Sequence, residues 1–149
     1  MIAFEKACIE HNPALVVVIG DVNSTLACAI SAKKLRIPLV HVEEGLRSRD
    51  MSMPEEINRL CTDVIGDFLF TTDELAGANL LAEGCGPESI QFVGNTMIDS
   101  LKNHLSRAPA DDGYSMQLTQ SPHTFQLSSR LILVPRSEWP RSNFTMASE

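Results

Sequence analysis

The sequence lacks the features that mark several large functional classes. It has no basic excess, because 12 Lys and Arg stand against 19 Asp and Glu, a formal net charge of −7. Non-specific nucleic-acid binding needs basic residues to neutralise phosphates, so no nucleic-acid partner is expected. No apolar run is long enough to span a bilayer, and the N-terminal segment carries Glu5, Lys6 and Glu10 instead of a signal peptide's apolar core. These absences predict a soluble, cytoplasmic protein with no membrane partner.

The cysteine pattern does not predict a metal or disulfide site. Cys8, Cys28, Cys61 and Cys85 lie far apart, without the paired spacing of zinc or redox motifs. Cys28 and Cys61 fall in predicted helices, which indicates buried free thiols in a reducing compartment. No His/Cys ligand cluster is visible, so we expect no metal and no other cofactor.

The chain does contain a regular alternation of strands and helices in an ordinary globular composition, with 44% hydrophobic and 21% charged residues. Four short apolar segments read as buried strands. Helices are predicted between them, one capped by Asn23 or Ser24 and one by Thr72 or Asp73. Such alternation implies right-handed βαβ crossovers and a parallel, Rossmann-like sheet with helices on both faces. The predicted strands are Leu15–Ile19, Leu39–Val42, Phe68–Phe70 and Ile90–Val93. The predicted helices lie near 2–10, 25–35, 73–83 and 97–105, and a further helix begins at Pro54.

The composition changes after Ser106. The segment 106–149 holds four of the eight prolines and eight serines. Its one strand-like stretch, Leu131 to Val134, is not followed by an amphipathic helix, because Pro135 and Pro140 interrupt the sequence. We predict a partial Rossmann-like domain over 1–105 and a divergent, poorly ordered linker or tail over 106–149. The alternative is that this tail begins a second domain.

Three acidic residues follow strands or begin a helix. Asp21 lies in VVVIGDVNST, Glu43 in PLVHVEEGLR and Glu55 in MPEEINR. Carboxylates gathered at the carboxyl edge of a parallel sheet can bind hydroxyl groups or transfer protons. The simpler interpretations are that Asp21 orders a turn and that Glu55 pairs with Arg59 one helical turn later.

The HVEEGLR segment has two further candidates. Strand alternation predicts that His41 and Glu43 share one face, with Glu43 reaching a ligand and His41 hydrogen-bonded within the sheet. Arg47 either binds an anion or pairs with a neighbouring carboxylate. GDVNST has a single glycine, so it is neither a dinucleotide fingerprint nor a P-loop, and Gly94-Asn95 is typical of an ordinary turn.

Together these segments resemble a known family. GDVNSTLA, HVEEGLRSRDMSMPEEINR, LFTTDELAGANLLAEG and FVGNTMIDSL, within about residues 12–105, are similar to the non-hydrolysing bacterial UDP-N-acetylglucosamine 2-epimerases. The resemblance implies part of the N-terminal half of a two-domain GT-B fold, with substrate bound between the halves. It also implies interconversion of UDP-GlcNAc and UDP-ManNAc for cell-surface polysaccharide, by elimination and re-addition of UDP.

The same resemblance assigns roles to residues. Asp21, Glu43 and Glu55 correspond to the family's catalytic carboxylates, and one of them removes the proton from the second sugar carbon. Asp21, Glu43, Arg47 and Arg59 are expected to bind substrate.

The sequence also departs from the family pattern. The family's GTRPE-like first strand and its second-domain histidine motif are not present, and Glu44 stands where the family usually has alanine. Glu44 either raises the pKa of Glu43 or points to solvent. We expect a fragment with little activity alone, and a sheet edge left unpaired, which favours aggregation or a homodimer. The alternative functions are a hydrolysing UDP-GlcNAc 2-epimerase and a non-catalytic remnant that binds nucleotide sugars.

Overall fold

A computed structural model describes residues 1–95, 98–99, 102 and 131–137. The chain divides into two units, one comprising Met1–Gly94 with Ser129–Glu149 and the other Asn95–Ser128. The elements described below belong to the first unit. The predicted helix over 97–105 lies mostly outside the described residues, as does the predicted tail except for 131–137.

Helices and strands alternate through the first unit, close to the predicted positions. Pro54 occupies the first turn of its helix, where its missing N–H is not needed. The elements are α1 (Ile2–His11), β1 (Leu15–Ile19), α2 (Asn23–Lys34), β2 (Leu39–Glu44), α3 (Pro54–Ile65), β3 (Phe68–Thr71), α4 (Glu74–Ala82), a 3₁₀ turn (Pro87–Ser89), β4 (Ile90–Phe92) and β5 (Ile132–Val134).

The strands form one sheet in the order β4-β3-β2-β1-β5. The first four are mutually parallel, whereas β5 runs antiparallel to β1. The predicted α/β class, with a parallel sheet flanked by helices, is confirmed. One expectation changes: the outer edge of β1 is not left unpaired, because β5 hydrogen-bonds along it.

The apolar core lies between β1, β2 and the first two helices. Val16, Val18 and Leu39 from the strands are at most 2% exposed, and Ala29 and Ala32 of α2 are fully buried. Two alanines on the inward face let α2 approach the sheet closely. This packing holds the carboxyl ends of β1 and β2, and therefore the loops that follow them, in a defined position.

Among the local details, one cap is found as predicted and two other predictions are wrong. Asp73 caps α4 as expected, accepting a hydrogen bond from the Ala76 N–H at 2.7 Å. Neither Asn23 nor Ser24 caps α2; the cap position is Val22, without a side-chain hydrogen bond. All four cysteines are free, but Cys61 is exposed because it lies on the outer side of α3. No helix within the described ranges is both long and apolar enough to cross a membrane.

Candidate functional site

The predicted carboxylates begin with Asp21, which follows β1. Gly20 takes a left-handed backbone conformation (φ +78°) that turns the chain out of the strand. The Asp21 carboxylate accepts a hydrogen bond from the Arg59 guanidinium at 2.5 Å, and its backbone carbonyl accepts one from the Asn58 side-chain amide at 2.8 Å. Asp21 is therefore held by α3, both through its side chain and through its backbone.

Arg59 connects two acidic residues. Its second guanidinium nitrogen donates to the Glu56 carboxylate at 2.8 Å. The arginine thus joins the loop after β1 to the first turn of α3, and both neighbouring carboxylates raise its pKa against the opposing effect of burial. The predicted pairing of Arg59 with Glu55 is wrong, because the guanidinium is directed to Asp21 and Glu56.

Glu56 anchors the loop that precedes α3. Its two carboxylate oxygens accept hydrogen bonds from the backbone N–H groups of Ser48 (3.0 Å) and Arg49 (2.9 Å). The residue is 1% exposed. Burial alone would raise the pKa of Glu56, but these two N–H groups and Arg59 outweigh it and lower the pKa to about 2.

Glu55 precedes Glu56 but has a different environment. It is partly exposed in the first turn of α3, where the helix dipole favours a negative charge. Within the described part of the chain, no hydrogen bond or ion pair engages its carboxylate. Glu55 is therefore available to an incoming molecule, whereas Glu56 is committed to the fold.

A β-bulge at the end of β2 changes the predicted positions of the two adjacent glutamates. The β2–β3 register shifts between Val42 and Glu44, and Glu43 has a φ of +70°. The extra residue breaks the alternation of faces. The prediction that His41 and Glu43 share a face is therefore wrong: His41 contacts Glu44, which is 1% exposed rather than pointing to solvent.

His41 lies at the centre of a buried polar cluster, which we define as His41, Glu44, Asp63 and Arg47. Its Nδ1 lies 2.9 Å from the Asp63 carboxylate, and its Nε2 lies 3.1 Å from the Gly20 carbonyl oxygen. Glu44 Oε1 contacts Nε2 as well. Neither Glu44 oxygen has a hydrogen-bond partner of acceptable geometry among the described residues.

The pKa values of the residues in the buried polar cluster differ from those of the free side chains. Burial alone would lower the pKa of His41, but Asp63 and Glu44 raise it to about 9. Burial raises the pKa of Glu44 to about 8, opposed by His41. The pKa of Asp63 is lowered, since its hydrogen bond from His41 and its contact with Arg47 outweigh burial.

Arg47 is the fourth member of the buried polar cluster and is not a free anion-binding group. It donates to Asp63 at 2.6 Å and to both oxygens of Glu83, at 2.8 and 2.6 Å. Its side chain is 4% exposed. Of the two alternatives for Arg47, pairing with carboxylates is the one present in this structure.

Three members of the buried polar cluster also form a candidate ligand set for a metal ion. His41, Glu44 and Asp63 each offer a ligand atom, and these atoms lie within 4.8 Å of one another. Both ring nitrogens of His41 already face oxygen acceptors, however. Metal binding would therefore require a ring nitrogen to lose its proton and its present hydrogen bond.

A cavity of about 420 Å³ opens beside α3 and α4. None of Asp21, Glu43 and Glu55 lines it. Its walls are formed by Arg47, Arg49, Met51, Glu56, Leu60, Asn79, Ala82 and Glu83.

The structure thus brings together the segments that carry the three predicted carboxylates. Arg59 and Asn58 join the Asp21 loop to α3, and His41 joins that loop to the end of β2. Sequence reasoning missed the anchoring role of Glu56 and the burial of Asp63. One signal was available: α3 has polar residues at 56, 59 and 63, on the face that an ordinary amphipathic helix would fill with apolar side chains.

Comparison with known proteins identifies close relatives for most of the chain. Residues 1–134 match the family model described as UDP-N-acetylglucosamine 2-epimerase. A UDP-N-acetylglucosamine 2-epimerase of Methanocaldococcus jannaschii is 46% identical over 112 residues, which cover 75% of this chain and 31% of that protein. A UDP-2,3-diacetamido-2,3-dideoxy-D-glucuronate 2-epimerase of Pseudomonas aeruginosa is 41% identical over 119 residues, covering 78% and 34%.

A solved structure supports the same assignment. The Methanocaldococcus jannaschii UDP-GlcNAc 2-epimerase, in complex with UDP-GlcNAc and UDP, superposes with a TM-score of 0.73 and 44% identity, covering 79% of this chain and 33% of that one. The chain therefore spans about a third of the length of the relatives that it matches.

Proposed function

Because the chain belongs to the UDP-N-acetylglucosamine 2-epimerase family, we propose that it supplies the carboxylate side of an epimerase site for UDP-GlcNAc and UDP-ManNAc. The reaction proposed is elimination of UDP, which requires removal of the proton on the second sugar carbon, followed by re-addition. We also propose that the site has a second part, which binds the rest of the substrate, and that a homodimer could complete the site. The four free cysteines fit the reducing cytoplasm in which we place this reaction.

The observation that carries the proposal is the difference between Glu55 and its neighbours. A general base needs an accessible, unprotonated group. Glu56 has three hydrogen-bond donors and Asp21 is engaged by Arg59, whereas Glu55 has no partner within the described residues. Glu55 is therefore our candidate for proton abstraction. Asp21, pinned to α3, and Glu43, presented by the bulge, are the candidates for contacting the sugar.

The experiment is hydrogen–deuterium exchange at the second carbon of UDP-GlcNAc, with the full chain in heavy water. Exchange reports proton removal even where epimerisation is not completed. We expect exchange with the unaltered chain, and its loss in Glu55→Gln. The matched control is Glu74→Gln, which makes the same chemical change in the first turn of α4, at an exposed position.

The alternatives give different results. Release of free ManNAc together with exchange would indicate the hydrolysing reaction. Exchange only with UDP-2,3-diacetamido-2,3-dideoxy-D-glucuronate would transfer the proposal to the substrate of the Pseudomonas relative. A folded chain that binds UDP-GlcNAc but catalyses no exchange would refute the catalytic role and leave the nucleotide-sugar-binding remnant.

A further inference from the structure

His41 occupies an unusual position among the three carboxylate-bearing segments. It lies on β2, in the middle of the sheet, and is fully buried. Its register neighbours on β1 and β3 are apolar, Val18 and Leu69. A histidine at such a place costs free energy unless both ring nitrogens are satisfied.

The polar contacts of His41 lie in the three segments that carry the predicted site residues. Nε2 bonds the carbonyl of Gly20, immediately before Asp21. The same nitrogen contacts Glu44, immediately after Glu43. Nδ1 bonds Asp63, which lies on α3, the helix whose first turn carries Glu55. One ring therefore touches the segments that present all three carboxylates.

The partners of the ring fix its orientation. A backbone carbonyl can only accept a hydrogen bond, and an ionised carboxylate can only accept. Arg47 donates to Asp63 at 2.6 Å, so the Nδ1 of His41 donates to an Asp63 carboxylate that Arg47 also holds. Three groups therefore face the ring: Asp63 from α3, Glu44 from β2 and the Gly20 carbonyl from the end of β1.

We propose that His41 is a positioning residue whose ring holds the segments of Asp21, Glu43 and Glu55 in register with one another. The inference rests on the proposed function for its catalytic consequence, but the linkage between the segments is independent of activity. Without the ring, Gly20, Glu44 and Asp63 lose the side chain that all three contact. The loop with Asp21 would then lose its connection to α3 through β2.

The first test is ¹⁵N–¹H nuclear magnetic resonance of the unaltered full chain. We expect the Nδ1–H of His41, which is buried and bonded to Asp63, to be visible and to exchange slowly with solvent. A ring N–H of His41 that exchanges as fast as that of the exposed His11 would overturn the proposal.

The second test is His41→Gln, compared with His11→Gln at the exposed end of α1. Glutamine is neutral and cannot donate to Gly20 and Asp63 with the geometry of the ring. We expect the amide signals of all three segments to shift in His41→Gln and to stay in place in His11→Gln. Changes confined to the surroundings of residue 41 would contradict the linkage.

Activity supplies the remaining readout. In the exchange assay with UDP-GlcNAc, His41→Gln should lower the rate at saturating substrate roughly ten- to a hundredfold, with a smaller change in KM, because misplacement of reacting groups slows the chemical step. An unchanged rate in a folded variant would overturn the positioning role. If the unaltered chain catalyses no exchange, the proposed function fails, and the resonance measurements on the unaltered chain and on His41→Gln still decide whether His41 links the three segments.

Discussion

Replacement of the Glu56 carboxylate tests how the loop after β2 is attached to α3. The change is Glu56→Gln, which keeps the size of the side chain and removes its charge. The carboxylate accepts two backbone N–H groups and one guanidinium N–H. An amide has one oxygen, so at least one of these donors must face the NH₂ group instead, and a buried donor loses its acceptor.

The magnitude follows from the pKa of the group. The pKa of Glu56 falls from 4.5 to about 2 in the folded chain, and each unit corresponds to about 1.4 kcal/mol. The ionised form therefore stabilises the fold by about 3 kcal/mol. An amide oxygen in place of Oε2 keeps the bonds from Ser48 and Arg59 and loses the one from Arg49, and a hydrogen bond to a charged group, worth about 1.5–3 kcal/mol, gives a similar figure. We expect Glu56→Gln to lower the free energy of unfolding by about 2–3 kcal/mol at pH 7.

The assay is urea denaturation of the unaltered chain and the variant over a range of pH. A lowered carboxylate pKa stabilises the fold above the unfolded-state pKa, near 4.5, and this contribution is lost as the pH falls towards about 2. The difference between the two proteins should therefore be constant above about pH 6 and shrink below pH 4.5.

Glu55→Gln is the matched control for this experiment. It removes the same charge from the same helical turn, but Glu55 has no partner within the described residues, so only the helix-dipole interaction of about 0.3–1 kcal/mol is lost. Equal losses in the two variants, or a difference between Glu56→Gln and the unaltered chain that does not change with pH, would refute this account of the anchor.

Two further substitutions test other contacts around the site. Gly45→Ala should lower the free energy of unfolding in urea by about 2–4 kcal/mol, because φ is +83° and a Cβ would lie 2.4 Å from the Ala76 carbonyl oxygen. Gly84→Ala is the control: its φ is +94° but nothing lies within 4 Å, so it should cost only about 1 kcal/mol. Equal losses would argue against the close approach at Gly45.

Asp67 forms an ion pair with Lys33 and accepts the first N–H of β2 at 2.8 Å. Asp67→Ala removes both contacts and should cost about 1–3 kcal/mol. Lys33→Met breaks only the partly exposed ion pair and should cost at most about 1 kcal/mol. The reverse order would contradict the role assigned to the Asp67 carboxylate.

The bulge at Glu43 explains why strand periodicity did not locate the two glutamates of β2. Alternation correctly predicts a strand up to Val42, but it assumes that each residue opposes one partner on β3. Here one extra residue is inserted, and Glu43 takes a positive φ that a non-glycine residue adopts at some cost in strain. Such bulges occur next to active sites, where they redirect a side chain. Glu44 then faces His41, and Glu43 lies in the bulge at the carboxyl end of β2.

The attachment of the tail segment to the sheet is a second result beyond the reach of local patterns. A strand at Leu131–Val134 was predicted, and Ile132–Val134 forms one. Its partner was not predictable, because pairing with β1 joins residues more than a hundred positions apart in the sequence. The division of the chain at residue 105, and the order of 106–149, stay predictions.

The sequence by itself determined the alternation of strands and helices, the parallel connection of the first four strands, and the family. Those features depend on local hydrophobic periodicity, on glycine and proline at element ends, and on residues in fixed order, all of which are readable along the chain. Only the tertiary structure decided that Glu56 anchors a loop, that Arg47 is occupied by Asp63 and Glu83, and that His41 joins three segments. Those roles depend on which polar groups meet in the interior after the chain has folded, and a buried charge takes its properties from neighbours that sequence spacing does not specify.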